Sequence, residues 1–309
     1  MKGRACRLLT TVITSAHAEH GLKTSAASLP SAAQLARAFS SAATVSTTRE
    51  ARRFPLVGGN RFMDSLRNLL RDYKQLSKAK LSALVVATCA AGYVAGSKER
   101  VDWRELGWVS FGTFLASSSA NTLNQIYEVA NDARMKRTAG RPLPAGRMSR
   151  IHAAAFAIVT GGTGLWILSQ KTNKTTACLG AGNIALYAAV YTPLKQVSVI
   201  NTWIGAVVGA IPPLMGWAAA AGELDVGSLI LGAGLYFWQM PHFMALAWLC
   251  RSDYAAGGYK MLSLVDATGK RTAACALRNC AYLFPLGALA AWLGVTSPYF
   301  AYESGMLID

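Results

Sequence analysis

The chain has 309 residues, of which 52% are hydrophobic and only 15% are charged. This composition is too apolar for an ordinary water-soluble domain and predicts a protein that crosses a lipid bilayer several times. The formal net charge is +16, but no aromatic-interleaved basic stripe or nucleic-acid-binding motif accompanies it, so we predict no nucleic-acid partner. The six cysteines include no CxxC pair, which argues against a zinc site or a disulfide framework.

The chain begins with a basic leader. Residues 1–53 contain eight Lys and Arg residues against two acids, Glu19 and Glu50, among many Ser, Thr and Ala residues. This pattern is typical of a mitochondrial transit peptide, and cleavage after Phe39 is expected. A disordered basic arm is the alternative. We therefore predict a transit peptide over residues 1–39, followed over 40–79 by a linker with an interfacial basic stretch.

Seven apolar windows follow the leader, each long enough for a membrane-spanning helix or nearly so. They cover residues 81–96, 106–127, 151–169, 175–194, 199–222, 226–250 and 274–295. The predicted fold is an all-α polytopic bundle over residues 80–296, with a tail over 297–309. The Gly205 and Gly209 pair in the fifth window predicts close packing between helices.

Charge asymmetry between the loops predicts the orientation of the bundle. Lys and Arg are concentrated before the first window and after the second, fourth and sixth windows, whereas the opposite loops are near neutral or acidic, except for Lys171 and Lys174. By the positive-inside rule the basic loops face the matrix if the protein lies in the mitochondrial inner membrane.

The second window ends in a stripe of oxygen ligands. Asn124, Glu128 and Asp132 are spaced by four residues, so one helical face carries two carboxylates and an amide, and Arg137 and Arg141 follow directly. Such oxygens suit Mg²⁺, which binds through a few carboxylates and substrate phosphates. A solvated boundary of the membrane is the alternative for any one such cluster.

Three further clusters fall on the same basic side of the predicted membrane. Lys195 closes the fourth window and Asn201 follows it, His242 lies in the sixth window, and Asp253 comes just after that window. If these loops meet above one cavity, Asp132 and Asp253 bind metal from opposite sides, and Arg137, Arg141 and Lys195 hold a diphosphate. Tyr191 and Trp238 are predicted to be packing or interfacial aromatics.

Several of these blocks together resemble the UbiA-type intramembrane prenyltransferases, and within them the haem-modifying branch. The matching blocks are NQIYEVAND at 124–132, YTPLK at 191–195, NTWIGAVVGAIPP at 201–213, WQMPHF at 238–243 and DY at 253–254. Glu128 stands where the family often has an aspartate, and Ser252 where bacterial relatives are often acidic. With Ser252 there are fewer carboxylates, which implies weaker or fewer metal sites.

The resemblance implies an activity and its site. A farnesyl group would pass from farnesyl diphosphate to a vinyl group of haem b, giving haem O for the haem A of cytochrome c oxidase. Asn124, Glu128, Asp132 and Asp253 would bind Mg²⁺ and diphosphate, and Arg137, Arg141, Lys195 and Asn201 would bind substrate. His242 would bind haem iron or orient a propionate, or else be a hydrogen-bonded structural histidine. A homo-oligomer or a haem A synthase partner is also implied.

Two other functions stay open at this point. A related enzyme could prenylate a quinone or chlorophyll precursor with the same acidic stripe, and a transporter or membrane scaffold would use the polar residues as a passage or an interaction surface. The family resembled has nine spans where this sequence predicts seven, so we expect the chain on its own to form little haem O.

Overall fold

The computed structural model describes residues 61–97 and 100–296, and all secondary structure in these two ranges is helical. The predicted transit peptide and tail, with most of the predicted linker, lie outside the described residues. The helices are α1 Arg61–Leu76, α2 Ala79–Gly96, α3 Trp103–Tyr127, α4 Val129–Arg134, α5 Arg150–Lys171, α6 Lys174–Ala185, α7 Thr192–Val197, α8 Asn201–Ala221, α9 Val226–Leu249, α10 Arg251–Ala256, α11 Leu262–Val265, α12 Lys270–Ala281 and α13 Leu283–Trp292. A π-helical segment, Leu186–Tyr191, joins α6 to α7.

Helices lie at all seven predicted positions, which confirms the all-α polytopic class. Within residues 61–97 and 100–296, five helical stretches are long and apolar enough to cross a membrane: α2, α5, α8, the continuous run Lys174–Val197, and the run Lys270–Trp292. Helices α3 and α9 are also long, with 25 and 24 residues. Their hydropathy is lower because α3 carries Ser, Thr and Asn side chains along its second half and α9 carries Gln239 and His242.

Four helices, α3, α5, α6 and α9, begin where a side chain bonds the free N–H groups of the first turn. Asp102 accepts hydrogen bonds from the backbone of Arg104 and Glu105 at the start of α3. Ser149, Asn173 and Asp225 do the same for α5, α6 and α9. Helix α8 ends at Gly222, whose φ of 85° is a left-handed conformation that glycine adopts without strain.

Close approach of backbones occurs at glycines that the sequence analysis did not single out. A methyl group on Gly216 of α8 would lie 1.8 Å from the carbonyl oxygen of Cys89 on α2. The close packing predicted at Gly205 and Gly209 is found, and at each glycine the nearest atoms belong to a side chain of a neighbouring helical segment. A methyl group would meet the Tyr191 ring at 2.8 Å from Gly205, and the Gln239 amide oxygen at 1.9 Å from Gly209.

Helix α3 runs through the bundle with polar side chains that are buried and bonded to its neighbours. Ser119 Oγ donates to the carbonyl oxygen of Ala157 on α5 at 2.7 Å. Gln125 Nε2 donates to the carbonyl oxygen of Leu76 at the end of α1, also at 2.7 Å. These bonds fix the C-terminal end of α3 against the break between α1 and α2. The acidic stripe follows at that end.

Candidate functional site

A polar cavity of about 140 Å³ lies at the end of α3. Six of the predicted site residues line it: Asn124, Glu128, Asp132, Arg137, Arg141 and Lys195. The chain bends between α3 and α4 at Glu128, yet the Glu128 N–H still donates to the Asn124 carbonyl and the Asp132 N–H to the Glu128 carbonyl, at 3.0 and 2.8 Å. The four-residue spacing therefore keeps the three side chains on one face across the bend.

Each buried carboxylate is paired with a cation from another part of the chain. Arg141 Nη1 donates to Asp132 Oδ2 at 2.6 Å, and Lys195 Nζ pairs with the Glu128 carboxylate. Asp132 and Glu128 are only 1% and 2% exposed. The walls carry four basic side chains, those of Lys78, Arg137, Arg141 and Lys195, against these two carboxylates. The surplus of positive charge favours a polyanionic ligand.

Lys78 belongs to this cavity although the sequence analysis did not place it there. It lies between α1 and α2 with φ 46° and ψ 51°, and it is the single non-glycine residue with positive φ in the described chain. Its Nζ donates to Asn124 Oδ1 at 2.8 Å and to the Tyr187 hydroxyl at 3.4 Å. Burial is the largest of the causes that lower the pKa of Lys78 to about 7, and the positive charges of Arg141 and Lys195 lower it further.

Tyrosine rings surround the lysine of the second ion pair. Lys195 Nζ lies 4.9 Å from the ring centroid of Tyr191 and 5.3 Å from that of Tyr259. Tyr187 and Tyr191 stack at 5.3 Å between centroids in the π-helical segment. Such segments are frequent at functional sites. The ring of Tyr191, predicted to be a packing or interfacial aromatic, both stacks on Tyr187 and lines the cavity.

A second cavity, of about 270 Å³, adjoins the polar one. Tyr187 and Tyr191 line both cavities, so these two rings mark the junction. The larger cavity is mostly apolar and is bounded by residues of α2, α3, α6, α8 and α9. An amphiphilic ligand with an anionic head and an apolar tail matches this arrangement.

Three predicted site residues do not line either cavity. Asn201 is buried, and its Nδ2 donates to the carbonyl oxygens of Ser198 and Lys260 at 2.6 Å each. Because the Lys260 N–H donates to the Lys195 carbonyl at 2.7 Å, Asn201 holds the loop beside Lys195. His242 is exposed on α9 and stacks on Trp238. Asp253 lies on α10, next to Tyr254, which does line the polar cavity.

The donor set at the acidic stripe fits a hard divalent cation. Asp132 Oδ1 is buried and has no hydrogen-bond partner in the described part of the chain. The neighbouring donors are also oxygens, from Glu128 and the Asn124 amide. In residues 61–97 and 100–296 no group of three or more His, Cys, Asp or Glu side chains forms a complete metal site. Phosphate oxygens of a ligand would have to complete the coordination.

Comparison with known proteins gives a family match over most of the chain. The model of the UbiA prenyltransferase family matches residues 85–308. An Arabidopsis thaliana relative described as protoheme IX farnesyltransferase, mitochondrial, is 58% identical over 238 residues, covering 77% of this chain and 55% of the relative. The Homo sapiens protein of that description is 49% identical over 223 residues, covering 72% and 50%. The chain thus spans about half the length of the curated relatives it matches.

Solved structures share the fold at low sequence identity. A UbiA homolog from Archaeoglobus fulgidus bound to DMAPP and Mg²⁺ superposes with a TM-score of 0.64 at 15% identity, covering 77% of this chain and 83% of that one. A digeranylgeranylglyceryl phosphate synthase gives a TM-score of 0.62 at 19% identity, covering 77% and 87%. At these identities the similarity establishes the fold alone.

Proposed function

This chain belongs to the UbiA prenyltransferase family, and on that premise we propose that it transfers the farnesyl group of farnesyl diphosphate to a vinyl group of haem b, forming haem O. One observation carries the proposal: the cationic cavity and the apolar cavity meet at Tyr187 and Tyr191. A prenyl diphosphate has the same division, with a charged head joined to an apolar tail. The descriptions of the Arabidopsis and human relatives support farnesyl as the group transferred and haem as its acceptor.

The diphosphate would lie among the basic residues of the polar cavity. Arg137 and Arg141 approach it from the loop between α4 and α5, Lys195 from α7 and Lys78 from the break between α1 and α2, so three segments hold the head group. Arg141 offers a planar fork of donors that matches phosphate oxygens, and Lys195 offers a point charge. These groups stabilise negative charge as it builds up on the departing diphosphate, which lowers the barrier to breaking the carbon–oxygen bond.

The acidic stripe would hold Mg²⁺ through Asp132, Glu128 and Asn124, and Asp253 is proposed as a further ligand. When bound, the metal adds positive charge beside the leaving group. The faces of Tyr187 and Tyr191 lie at the junction, where C1 of the prenyl chain would develop allylic cation character. Aromatic faces attract cations, so these rings would stabilise that charge while excluding water from it. The vinyl group of haem b would then bond to C1, and water would add to the resulting porphyrin cation.

The setting of the reaction is also part of the proposal. The relatives' descriptions and the apolar helices support a mitochondrial membrane, for which we propose the inner membrane with the basic loops in the matrix. Asn201 is proposed to act by holding the loop at Lys260 beside Lys195. His242 is proposed to contact haem from the exposed face of α9. A homo-oligomer or a haem A synthase partner remains a prediction.

Purified protein in lipid nanodiscs tests the proposal directly. With farnesyl diphosphate, haem b and Mg²⁺ it should release diphosphate and yield a farnesylated, hydrated haem. Because little haem O is expected from the seven predicted spans on their own, the product is detected by mass spectrometry, which registers small amounts. Asp132→Asn should lower turnover by about two orders of magnitude or more, as loss of a transition-state stabiliser does. Asp102→Asn is the matched control, because it makes the same change at the opposite end of α3 and asparagine still caps a helix.

The outcomes separate the possible functions. Diphosphate release with a quinone precursor but not with haem b would show that haem b is not the acceptor. If the folded protein releases no diphosphate with either acceptor in the presence of Mg²⁺, the hypothesis of an enzyme is overturned. A transporter or a membrane scaffold is then favoured. Normal turnover in Asp132→Asn would contradict the proposed role of the acidic stripe in catalysis.

A further inference from the structure

The loop between α4 and α5 carries two of the basic residues of the polar cavity. It covers residues 135–149, and its side chains at Arg137 and Arg141 line the cavity. Turns hold the loop together, as in the hydrogen bond from the Ala145 N–H to the Arg141 carbonyl at 3.0 Å. Sites carried by loops are held less precisely than sites on helices unless neighbouring elements support them. The contacts of this loop with α1 therefore bear on the geometry of the cavity.

Arg147 connects the loop to α1 through three hydrogen bonds. Its Nη2 donates to the carbonyl oxygen of Gly140, the residue before Arg141, at 3.1 Å. The same nitrogen donates to Gln75 Oε1 at 3.0 Å, and Nε donates to Asp72 Oδ1 at 3.0 Å. The planar guanidinium group thus bonds two side chains of α1 and one backbone carbonyl of the loop. A lysine offers no such fork of donors.

The ion pair between Arg147 and Asp72 is the buried one of two pairs on α1. Asp72 is 6% exposed, whereas Asp64 and Arg67, which lie 3.5 Å apart on the same helix, are both exposed. A buried carboxylate that loses its cation keeps a charge without compensation, so the Arg147 contact is under strong constraint. Neither Arg147 nor Asp72 is among the residues that line the polar cavity.

Apolar contacts support the same connection between α1 and the loop. Leu76, at the end of α1, is fully buried in one cluster with Leu143 and Met148 of the loop. Two residues after Leu76 comes Lys78, which lines the polar cavity. Helix α1 therefore leads directly into Lys78, and the loop carries Arg141. The contact between helix and loop sets how far apart these two basic residues lie.

We infer that Arg147 is a positioning residue for the polar cavity, which fixes the spacing of Arg141 and Lys78 by holding the loop against α1. A diphosphate needs its basic partners at a set separation, and a displacement of about 1 Å that originates far from the reacting atoms is enough to weaken such a site strongly. Arg147 acts through the backbone beside Arg141 and does not touch the ligand. The inference rests on the proposed function in one respect, that the polar cavity binds diphosphate.

The affinity of the full chain in nanodiscs for a non-hydrolysable farnesyl thiolodiphosphate, with Mg²⁺ and without haem, tests the inference. Arg147→Gln and Asp72→Ala should each lower this affinity by about tenfold, because either change loosens the loop from α1. The double variant should lose little more than either single variant, since both changes remove one interaction. Arg147→Lys should show a smaller loss, and it replaces Arg147→Gln if the glutamine variant does not fold.

The sign of the Asp72→Ala effect separates positioning from direct binding. If Arg147 bound phosphate itself, removal of Asp72 would free its guanidinium group and the affinity would rise, which would overturn the inference. Melting temperatures are measured alongside, and each affinity is taken well below the melting temperature of its variant, so that loss of folded protein does not count as loss of affinity. Lower melting temperatures with unchanged affinities would show a role in stability alone and would also overturn it.

The exposed ion pair of α1 provides the matched controls, Asp64→Ala and Arg67→Gln. They make the same changes on the same helix, but these side chains are 60% and 75% exposed, and exposed pairs contribute little. Both variants should keep the wild-type affinity. Losses equal to those of Arg147→Gln would show a general effect of charge on α1 and would overturn the role of Arg147.

The measurement is made without haem, so it fails separately from the proposed function. Unchanged affinity in Arg147→Gln and Asp72→Ala overturns the inference even if haem is farnesylated. A wild-type protein that binds the analogue but does not farnesylate haem overturns the proposed acceptor, and losses in the two variants then still support the inference. A folded wild-type protein that binds no analogue overturns both.

Discussion

At the scale of single residues, Lys78 combines backbone strain with charge. A left-handed conformation costs a lysine on the order of 1 kcal/mol, and such strain persists where surrounding contacts require it. Here the contacts are the hydrogen bonds to Asn124 and Tyr187. The conformation therefore places an ammonium group between the acidic stripe and the tyrosine junction.

We expect Lys78→Met to weaken binding of a prenyl thiolodiphosphate by roughly 10- to 100-fold, because a charged hydrogen bond contributes about 1.5–3 kcal/mol. Lys80→Met is the control, since Lys80 is exposed two residues further on. Titration calorimetry measures both affinities. Unchanged affinity in Lys78→Met would contradict a phosphate-binding role.

Lys78→Gly separates strain from charge. Glycine adopts the left-handed conformation without strain. The melting temperature of the Lys78→Gly variant should therefore stay near that of the wild type, while its affinity for the prenyl thiolodiphosphate falls as in Lys78→Met. A large fall in melting temperature would show that the lysine contacts stabilise the fold more than they serve the site.

The sequence predicted the acidic stripe well because its order is local. Asn124, Glu128 and Asp132 follow one helical period, and the basic residues Arg137 and Arg141 come directly after them. The place of Lys78 in the polar cavity escaped prediction for the opposite reason. Lys78 reaches Asn124 across 46 positions of the chain, and no periodicity reports a contact of that kind. Its place at the cavity follows only from the tertiary structure.

At the scale of helices, the contact between α2 and α8 depends on glycines. Gly216→Ala would place a methyl group against the Cys89 carbonyl, where backbone lies on both sides. Overpacking of this kind typically costs about 1–3 kcal/mol. We therefore expect a clearly lower melting temperature, measured in detergent by the loss of helical circular dichroism.

Gly162→Ala provides the comparison for that prediction. A methyl group at Gly162, in the middle of α5, meets no atom within 4 Å, and alanine is a better helix former by about 1 kcal/mol. This variant should be as stable as the wild type or more so. If both substitutions had the same effect, the close approach of α2 and α8 would not limit stability.

Helix positions were predictable from hydropathy, but the geometry within them was not. The fourth window predicted one span, and the structure has one continuous helical run, Lys174–Val197. Within this run α6 is followed by the π-helical segment and then by α7, and the Tyr191 ring of the π-helical segment packs where Gly205 has no side chain. The spacing of Gly205 and Gly209 predicted close packing, but spacing alone does not say whether a backbone or a side chain fills the gap.

At the scale of the whole molecule, the sequence of the leader by itself predicts import into mitochondria. A fluorescent protein fused after residues 1–60 should be imported into mitochondria, because the leader is basic and nearly free of acids. Removing residues 1–39 from the fusion should leave the reporter in the cytosol. Replacing Arg4, Arg7 and Arg37 by Glu should have the same effect at unchanged length, and import that persists in both variants would contradict a transit peptide.

The buried polar side chains of α3 also bear on how the protein enters a bilayer. A helix rich in Ser, Thr and Asn partitions weakly into lipid by itself, and α3 is not among the stretches apolar enough to cross alone. Its hydroxyl and amide groups find their partners on α2 and α5, as in the contacts of Ser117 with Ser82 and of Ser119 with Ala157. We therefore expect α3 to insert together with its neighbours. In the folded bundle Glu128 and Asp132, which follow α3 directly, are 2% and 1% exposed, so their carboxylates do not contact lipid.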